Sequence, residues 1–259
     1  MLRRTFRNWG VVGIVSLLAL PGRFPREGWQ RAGRIRLRIR TRMGPVLETE
    51  ARNSWPVIEV FQGDYEFPIA WDQIRSVVDV GAHVGAFSCW VTCRAPSSRV
   101  VAFEPEPRNF SDLEANVSRN NLGERVSLVN AAASSEDGVV ELRVRGDDRQ
   151  LSSLVASSGD AIPVRAVDLN QYVRTNLDGP IDLVKMDVEG AEWGILASIR
   201  DDTWARISRL VLEVHIFGSH TLQEMEDLLA SNRFETRLTS RGTGGEFRET
   251  FTLWAEHIA

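Results

Sequence analysis

The stretch VVDVGAHVGAF at residues 77–87 decides the fold of this 259-residue chain. Its apolar residues surround one carboxylate, Asp79, which is the pattern of a buried parallel strand. Gly81 and Gly85 lack a Cβ atom, so the backbone can turn sharply into a helix and present N–H groups to a ligand. The stretch therefore predicts a nucleotide-binding loop between a strand and a helix.

Strands and helices alternate through the rest of the chain. Amphipathic segments predict helices between four further apolar strands, at residues 100–103, 126–130, 181–186 and 210–214. This period is typical of right-handed βαβ units, so we expect an α/β fold with a doubly wound, mostly parallel sheet. Around it we predict an N-terminal β-hairpin, a loop at 146–160 and a terminal hairpin with strands at 234–238 and 250–255.

Charge divides the chain into a basic arm and an acidic body. Residues 1–47 carry 11 arginines against one acid, Glu27, whereas the whole chain has a net charge of −4. From 34 to 42 arginines alternate with apolar residues, which predicts a half-buried strand with a cationic outer face. Such a surface could bind phosphate, nucleic acid or an anionic membrane, or it could pair with the acidic body.

The first twenty residues resemble a weak targeting signal. Arginines precede an apolar run at 11–20 that is too short to span a bilayer, and no A-x-A-like cleavage site follows it. We therefore expect a cytoplasmic protein, with peripheral membrane contact through residues 1–20 as an open alternative. The predicted domains are a basic, partly apolar arm at 1–33, a hairpin and linker at 34–68, and a cofactor-binding domain at 69–259.

The glycine spacing in the opening loop excludes one class of ligand. Three residues separate Gly81 from Gly85, so the NAD fingerprint G-x-G-x-x-G is absent. Glu104, followed by Pro105, ends the next strand 19 residues after Gly85. A carboxylate at that position can accept both hydroxyls of a ribose, which indicates a nucleoside-containing cofactor; a structural strand end is the alternative.

The segment DLVKMDVEGAEWGIL at residues 182–196 carries a second group of polar residues. Strand alternation places Lys185 and Asp187 on the same side, and Glu189 and Glu192 follow in the turn and the first helical residues. Carboxylates that repel one another at the mouth of a sheet indicate a binding site, although both glutamates could merely favour the helix N-terminus. Lys185 is the only lysine in the chain, so it is a candidate to orient Asp187 or to act as a base.

A third group, LEVH at residues 212–215, ends the fifth strand. Glu213 and His215 point the same way by the period of two and reach the mouth of the sheet. A histidine there can act as a general base near neutral pH, or it can simply hydrogen-bond to backbone at a strand end. His83, within the glycine loop, is expected to shape or cover the ligand.

With these segments in view, the chain resembles the FkbM family of S-adenosylmethionine-dependent methyltransferases. The resemblance runs from about residue 35 to 255 and rests on VVDVGAHVGAFS, VVAFEPEPRNFSDLEANVSRNN, SSL before AVDLNQYV, KMDVEGAEWGIL and LEVH. KMDVEGAE is the most specific of these motifs, because the glycine loop alone would indicate only a class I methyltransferase. The resemblance implies a seven-stranded, Rossmann-like sheet with the final hairpin as its antiparallel edge.

The resemblance also implies a cofactor, an acceptor and their site. S-adenosylmethionine would lie over the glycine loop, and members are typically O-methyltransferases that act on hydroxyls of sugars, polyketides and other secondary metabolites. The hydroxyl proton needs an acceptor, for which His215 is the first candidate and Lys185 or Asp187 the second. The implied cofactor-binding residues are Asp79, Gly81, Ala82, His83, Gly85, Glu104, Pro105, Asn130, Ala131, Asp187 and Glu189.

Two other functions stay open at this point. A nucleic-acid methyltransferase or binder could use the cationic strand, although the acidic site region is unfavourable for phosphate binding. A non-catalytic cofactor-binding protein at a membrane surface is the other alternative. We assign no metal ligands: the carboxylates near Asp187 could hold Mg²⁺, but no second cluster at ligand spacing supports it, and Cys89 and Cys93 supply too few ligands for zinc. Metal dependence and oligomeric state are left open.

Overall fold

The strand before the glycine loop lies inside a seven-stranded sheet, with two strands on one side of it and four on the other. The computed structural model describes residues 36–63, 65–145, 148–155, 159–244 and 247–258. The predicted arm at 1–33 and its apolar run at 11–20 lie outside these residues. Within them, no helix has the length and apolar character needed to cross a membrane.

Helices separate most of the parallel strands along the chain, as the sequence predicts. The elements in chain order are β1 (Arg36–Arg40), β2 (Val46–Glu50), α1 (Trp55–Gln62), β3 (Ser76–Val80), α2 (Ala86–Arg94), β4 (Arg99–Phe103), α3 (Pro107–Arg119), β5 (Val126–Val129), β6 (Ala132–Ser134), β7 (Gly138–Arg145), β8 (Asp148–Ser153), β9 (Asp160–Asp168), α4 (Leu169–Asn176), β10 (Leu183–Met186), α5 (Glu192–Ser198), α6 (Asp201–Trp204), β11 (Arg209–Ile216), α7 (Leu222–Ser231), β12 (Phe234–Gly244) and β13 (Phe247–His257).

The large sheet has the strand order β12-β13-β11-β10-β3-β4-β5. β3 pairs in parallel with both β10 and β4, and β11 and β5 extend the parallel arrangement on either side. β13 runs antiparallel between β11 and β12, so the terminal hairpin forms one edge. The predicted α/β fold is therefore confirmed, and the carboxyl ends of β3, β4, β10 and β11 lie at one edge of the sheet.

Two apolar layers cover the faces of this sheet. Successive residues of β3 point to opposite layers, so that Val78 and Val80 belong to one cluster and Val77 to the other. The second cluster also contains Leu37 and Leu47 of the N-terminal hairpin. The hairpin therefore shares a hydrophobic core with the sheet.

The N-terminal hairpin is confirmed as an antiparallel pair of β1 and β2 that packs on α3. Asn116 of α3 binds the backbone of Glu48 through both its amide oxygen and its amide nitrogen, at 2.7 and 3.1 Å. On the cationic face, Arg36 lies 3.2 Å from Glu48 and 2.8 Å from Asp112, and Arg38 lies 3.1 Å from Glu48. These two arginines pair with acids of the same chain, which is one of the arrangements that the sequence left open.

A second sheet, with the strand order β6-β9-β7-β8, was not predicted. Its strand β8 occupies residues 148–153, where the sequence predicts part of a loop, so that prediction was wrong for these residues. β8 lacks a clear apolar alternation, and pairing with β7 gives it strand structure. Leu142, Val144 and Val164 form a small apolar cluster within this sheet.

Candidate active site

Hydrogen bonds to the neighbouring strand hold the glycine loop at the end of β3. The N–H groups of Gly81 and Ala82 donate to the carbonyl of Phe103, at 3.0 and 2.9 Å. Gly81 has a φ of +81°, a left-handed value that glycine adopts without steric cost. A Cβ atom on Gly81 would lie 1.8 Å from the carbonyl oxygen of Asp187. Glycine therefore permits the close approach of the loop to the chain that follows β10.

Glu104, at the end of β4, turns its carboxylate toward this loop. Its Oε2 accepts the N–H of His83 at 2.8 Å, and its Oε1 accepts the N–H of Glu106 at 2.9 Å. The side chain of Asn130 donates to the Glu104 carbonyl at 2.9 Å. Burial raises the pKa of the Glu104 carboxyl to about 7. The acidic group is thus fixed beside the loop and titrates near neutral pH.

Lys185 is a buried cation beneath the loop. Its Nζ donates to the Gly81 carbonyl at 2.7 Å and lies 3.6 Å from Asp79 Oδ1 and 3.7 Å from Asp187 Oδ2. Asp79 is fully buried and also accepts the Ser88 hydroxyl at 2.6 Å. Burial lowers the pKa of Lys185, but Asp187 and Asp79 outweigh burial and raise that pKa above its ordinary value. The ammonium group therefore stays charged at neutral pH.

A buried carboxylate holds His215 in place. Glu192 Oε1 accepts the backbone N–H groups of Val188 and Gly190 and lies 3.0 Å from His215 Nδ1. Glu192 Oε1 is the acceptor in both backbone hydrogen bonds. It is therefore also the acceptor toward His215, and Nδ1 carries the proton and donates it. The indole of Trp193 donates to the His215 carbonyl at 3.1 Å. The start of α5 therefore fixes both the ring and the backbone of His215.

The other ring nitrogen of His215 faces further carboxylates. Nε2 lies 3.5 Å from Glu189 Oε2 and 3.9 Å from Glu213 Oε1. Burial lowers the pKa of His215, but Glu192, Glu189 and Glu213 outweigh it and raise that pKa well above its ordinary value. One nitrogen or oxygen atom from each of Asp187, Glu189 and His215 lies within 4.8 Å of the other two. The ends of β10 and β11 thus bring together groups that are far apart in sequence.

These groups border a cleft with an empty volume of about 1220 Å³, its open mouth included. The predicted site residues that line it are Gly81, Ala82, His83, Glu104, Pro105, Ala131, Lys185, Asp187 and Glu189. The predicted residues that lie outside its described lining are Asp79, Gly85, Asn130 and His215.

Several residues of the cleft have no role that the sequence predicts. Glu59 of α1 and Tyr65 form part of its wall, Glu213 lies in the C-terminal half of β11, and Leu142 and Leu154 come from the region of the second sheet. Glu59 and Tyr65 lie in no recognisable motif, so only the tertiary packing of the N-terminal segment reveals them. Glu213 did carry a signal, because strand alternation had placed it on the side of the sheet mouth.

The fold and the cleft together define a class I methyltransferase, for which S-adenosylmethionine is the methyl donor. A glycine loop and an acid at the end of the next strand occupy the edge where open α/β sheets bind nucleotides. The profile of the methyltransferase FkbM domain matches residues 79–236, which is more than half of the chain. The chain belongs to the FkbM family of S-adenosylmethionine-dependent methyltransferases.

Individual relatives agree with this family. The 31-O-demethyl-FK506 methyltransferase FkbM of Streptomyces tacrolimicus is 29% identical over 170 residues, which cover 54% of this chain and 65% of that protein. Methyltransferase sdnD of Sordaria araneosa is 26% identical over 168 residues, which cover 53% of this chain and 65% of that protein. The chain thus spans just under two thirds of the length of these relatives.

A solved structure shares the fold. The Pyrococcus horikoshii protein PH0793, assigned as a transferase, superimposes with a TM-score of 0.50 at 12% sequence identity. The superposition covers 87% of this chain and 74% of that protein. At this level of identity the likeness concerns the fold alone.

Proposed function

We propose that the protein transfers the methyl group of S-adenosylmethionine to a hydroxyl oxygen of a small molecule, a sugar or another secondary metabolite. The observation that carries this proposal is the cleft, in which the glycine loop and Glu104 face the carboxylates of Asp187, Glu189 and Glu213. These residues fit the cofactor, because carboxylates stabilise a cationic sulfonium and Glu104 can accept ribose hydroxyls. The Streptomyces relative is named for a 31-O-demethyl substrate, which supports transfer to oxygen.

The acidic wall of the cleft favours neutral or cationic acceptors. Glu59 and Glu213 line the cleft together with Asp187 and Glu189, and these carboxylates repel phosphates and carboxylates. A nucleic-acid acceptor is disfavoured for the same reason. Because Arg36 and Arg38 are already paired with acids of the chain, the strand that carries them is less available for phosphate contacts.

Among the groups at the sheet mouth, we propose Glu213 as the acceptor of the hydroxyl proton. Lys185 is a poor base, because its charged form is stabilised by Asp79 and Asp187. His215 is 3% exposed and lies outside the described lining of the cleft, so we assign it a positioning role behind Glu213. The Glu213 side chain lines the cleft, and burial together with the charge of Asp187 raises the pKa of its carboxyl well above the ordinary value, which makes it a stronger base than an exposed glutamate.

Substitution of Glu213 tests this assignment. Glu213→Gln keeps the shape of the side chain but cannot take a proton, so turnover should fall by about 10²- to 10⁴-fold. Cofactor affinity, measured by calorimetry, should fall far less than turnover, because Asp187 and Glu189 still face the sulfonium. Glu114→Gln, at an exposed position of α3, serves as the control and should match the wild type. Undiminished turnover of Glu213→Gln would transfer the role to Asp187.

Glu104 should control cofactor binding in a pH-dependent way. Ribose hydroxyls donate to the ionised carboxylate, and its pKa is about 7, so affinity should rise between about pH 6 and 8 and level off above that. Glu104→Gln should weaken cofactor binding at pH 8 by about ten- to a hundredfold, because a hydrogen bond to a charged group is lost. It should also remove the pH dependence of cofactor binding. Calorimetric titration at several pH values measures both effects. Wild-type affinity in Glu104→Gln at pH 8 would exclude the ribose contact.

Mass spectrometry of reaction products tests the function as a whole. The full chain, S-adenosylmethionine with a deuterated methyl group and a library of hydroxylated natural products and sugars should give a product that carries the label on oxygen. Cofactor binding without labelled product from any acceptor class would instead support a non-catalytic protein. Labelled RNA, with binding that weakens steeply as salt is raised, would support the nucleic-acid alternative.

We propose a cytoplasmic location, because no A-x-A-like cleavage site follows the apolar run at residues 11–20. Peripheral membrane contact through residues 1–20 is the alternative, and it concerns a segment outside the described residues. Co-sedimentation of the full chain with anionic vesicles, compared with a chain that lacks these residues, separates the two.

A further inference from the structure

We infer that Asp187, Glu189 and His215 form a binding site for a divalent first-row metal ion at the mouth of the sheet. Each residue offers a nitrogen or oxygen atom, and these atoms already lie within 4.8 Å of one another. Ligands about 2.1 Å from one ion are separated by about 3–4 Å, so small side-chain rotations bring all three onto it. The sequence did not predict this site, because His215 comes from a different strand than the two acids.

The environment of His215 points independently to a ligand at Nε2. A metal-bound histidine almost always donates its other ring N–H to a carboxylate or carbonyl, which fixes the tautomer and the ring orientation. The fully buried carboxylate of Glu192 lies 3.0 Å from Nδ1 and accepts its N–H in this way. The same carboxylate is anchored by the N–H groups of Val188 and Gly190. His215 is therefore held with Nε2 directed toward Glu189 and Glu213.

The spacing around Nε2 suits ligands that share an ion. The distance from Nε2 to Glu189, 3.5 Å, exceeds the value of about 2.7–2.9 Å for a direct charge-assisted hydrogen bond. It falls in the range that separates two ligands of one metal ion. Lys185, the nearby cation, donates to the Gly81 carbonyl and lies 3.7 Å from Asp187 Oδ2, so it balances part of the charge of one of the three ligands.

The donor set indicates which ions fit. One imidazole nitrogen with two carboxylate oxygens suits ions such as Mn²⁺ or Zn²⁺ better than Ca²⁺, which prefers oxygen ligands alone. The ion would also offset the mutual repulsion of Asp187, Glu189 and Glu213 at the cleft.

A catalytic role for the ion rests on the proposed function, whereas binding itself does not. An acceptor hydroxyl bound to the ion would have a lowered pKa and would release its proton to Glu213. Its oxygen then forms a bond to the methyl carbon while the carbon–sulfur bond breaks, which leaves S-adenosylhomocysteine. No other reactant is needed.

Titration with Mn²⁺ tests the site without any turnover. Chelator-treated full-length protein is titrated with Mn²⁺, and the free ion is followed by electron paramagnetic resonance. We expect one ion per chain, at least tenfold weaker binding in Glu189→Gln and in His215→Gln, and magnetic coupling of the bound ion to an imidazole nitrogen. The coupling should disappear in His215→Gln. Glu114→Gln, with its exposed carboxylate on α3, should bind Mn²⁺ like the wild type.

Far-ultraviolet circular dichroism and thermal unfolding of the same samples confirm that each variant is folded. Equal Mn²⁺ affinity in wild type and Glu189→Gln, or bound Mn²⁺ without nitrogen coupling, would overturn the site. Labelled product from chelator-treated protein that binds no Mn²⁺ would overturn the site and leave the proposed function intact. Specific Mn²⁺ binding without product from any acceptor class would support the site and count only against the proposed function.

Discussion

Replacement of Lys185 by methionine is expected to destabilise the protein by about 3–5 kcal/mol, the usual effect of removing one partner of a buried ion pair. Methionine fills similar space but leaves the fully buried Asp79 without the ammonium at 3.6 Å. The Gly81 carbonyl also loses its donor, so cofactor binding should be weakened together with stability. Denaturant unfolding at neutral pH measures the change in the free energy of unfolding.

A double variant separates charge balance from packing. Asp79→Asn combined with Lys185→Met removes both charges, so it should recover part of the stability that Lys185→Met loses. The Ser88 hydroxyl can still bond to the asparagine oxygen. The effect of Asp79→Asn on the free energy of unfolding should be measured alone and in the presence of Lys185→Met. If the two effects are equal, the side chains are not coupled and the ion-pair explanation is wrong.

Gly81→Ala is expected to disrupt the cofactor cradle more than any other substitution of the loop. An alanine at a φ of +81° is strained by about 1–3 kcal/mol, and its Cβ would lie 1.8 Å from the Asp187 carbonyl oxygen. Either the loop or the end of β10 must move, so we expect a total destabilisation of about 3 kcal/mol and at least a hundredfold loss of S-adenosylmethionine affinity. Thermal unfolding and calorimetry measure the two effects.

Gly194→Ala is the matched control for this change. Gly194 lies in α5, and a Cβ atom there would meet no atom within 4 Å. Alanine is the better helix former, so this variant should be stabilised by up to about 1 kcal/mol and should bind the cofactor normally. Normal cofactor affinity in Gly81→Ala would show that the close approach of loop and strand is dispensable.

Local sequence patterns were enough to predict the strands that consist of continuous apolar runs. The strand before Gly81 and the acid at residue 104 were predictable, because a buried parallel strand and its terminal residue leave a signal in adjacent positions. Strand β8 was missed, because its structure comes from pairing with β7 rather than from its own alternation. Glu59 and Tyr65 were missed for a similar reason, since only packing brings α1 to the cleft.

The sequence also could not show which of the site residues line the cleft and which lie behind that lining. Alternation placed Glu213 and His215 on the same side of β11, and the structure has them within 3.9 Å of each other. It could not show that Glu213 lines the cleft while Glu192 holds His215 outside that lining. Asp79 and Asp187 differ in the same way, because Asp79 is enclosed beneath the loop and Asp187 reaches the cleft.

The wall formed by Glu59 and Tyr65 has a consequence for how this enzyme can diversify. The family match begins at residue 79, so these two residues come from a stretch that the shared domain does not include. The cleft therefore combines walls from the matched domain with a wall from the chain that precedes it. Because the proposed acceptor preference depends partly on Glu59, we expect exchanges within residues 36–78 to alter acceptor selectivity while the donor-binding residues after residue 79 stay unchanged.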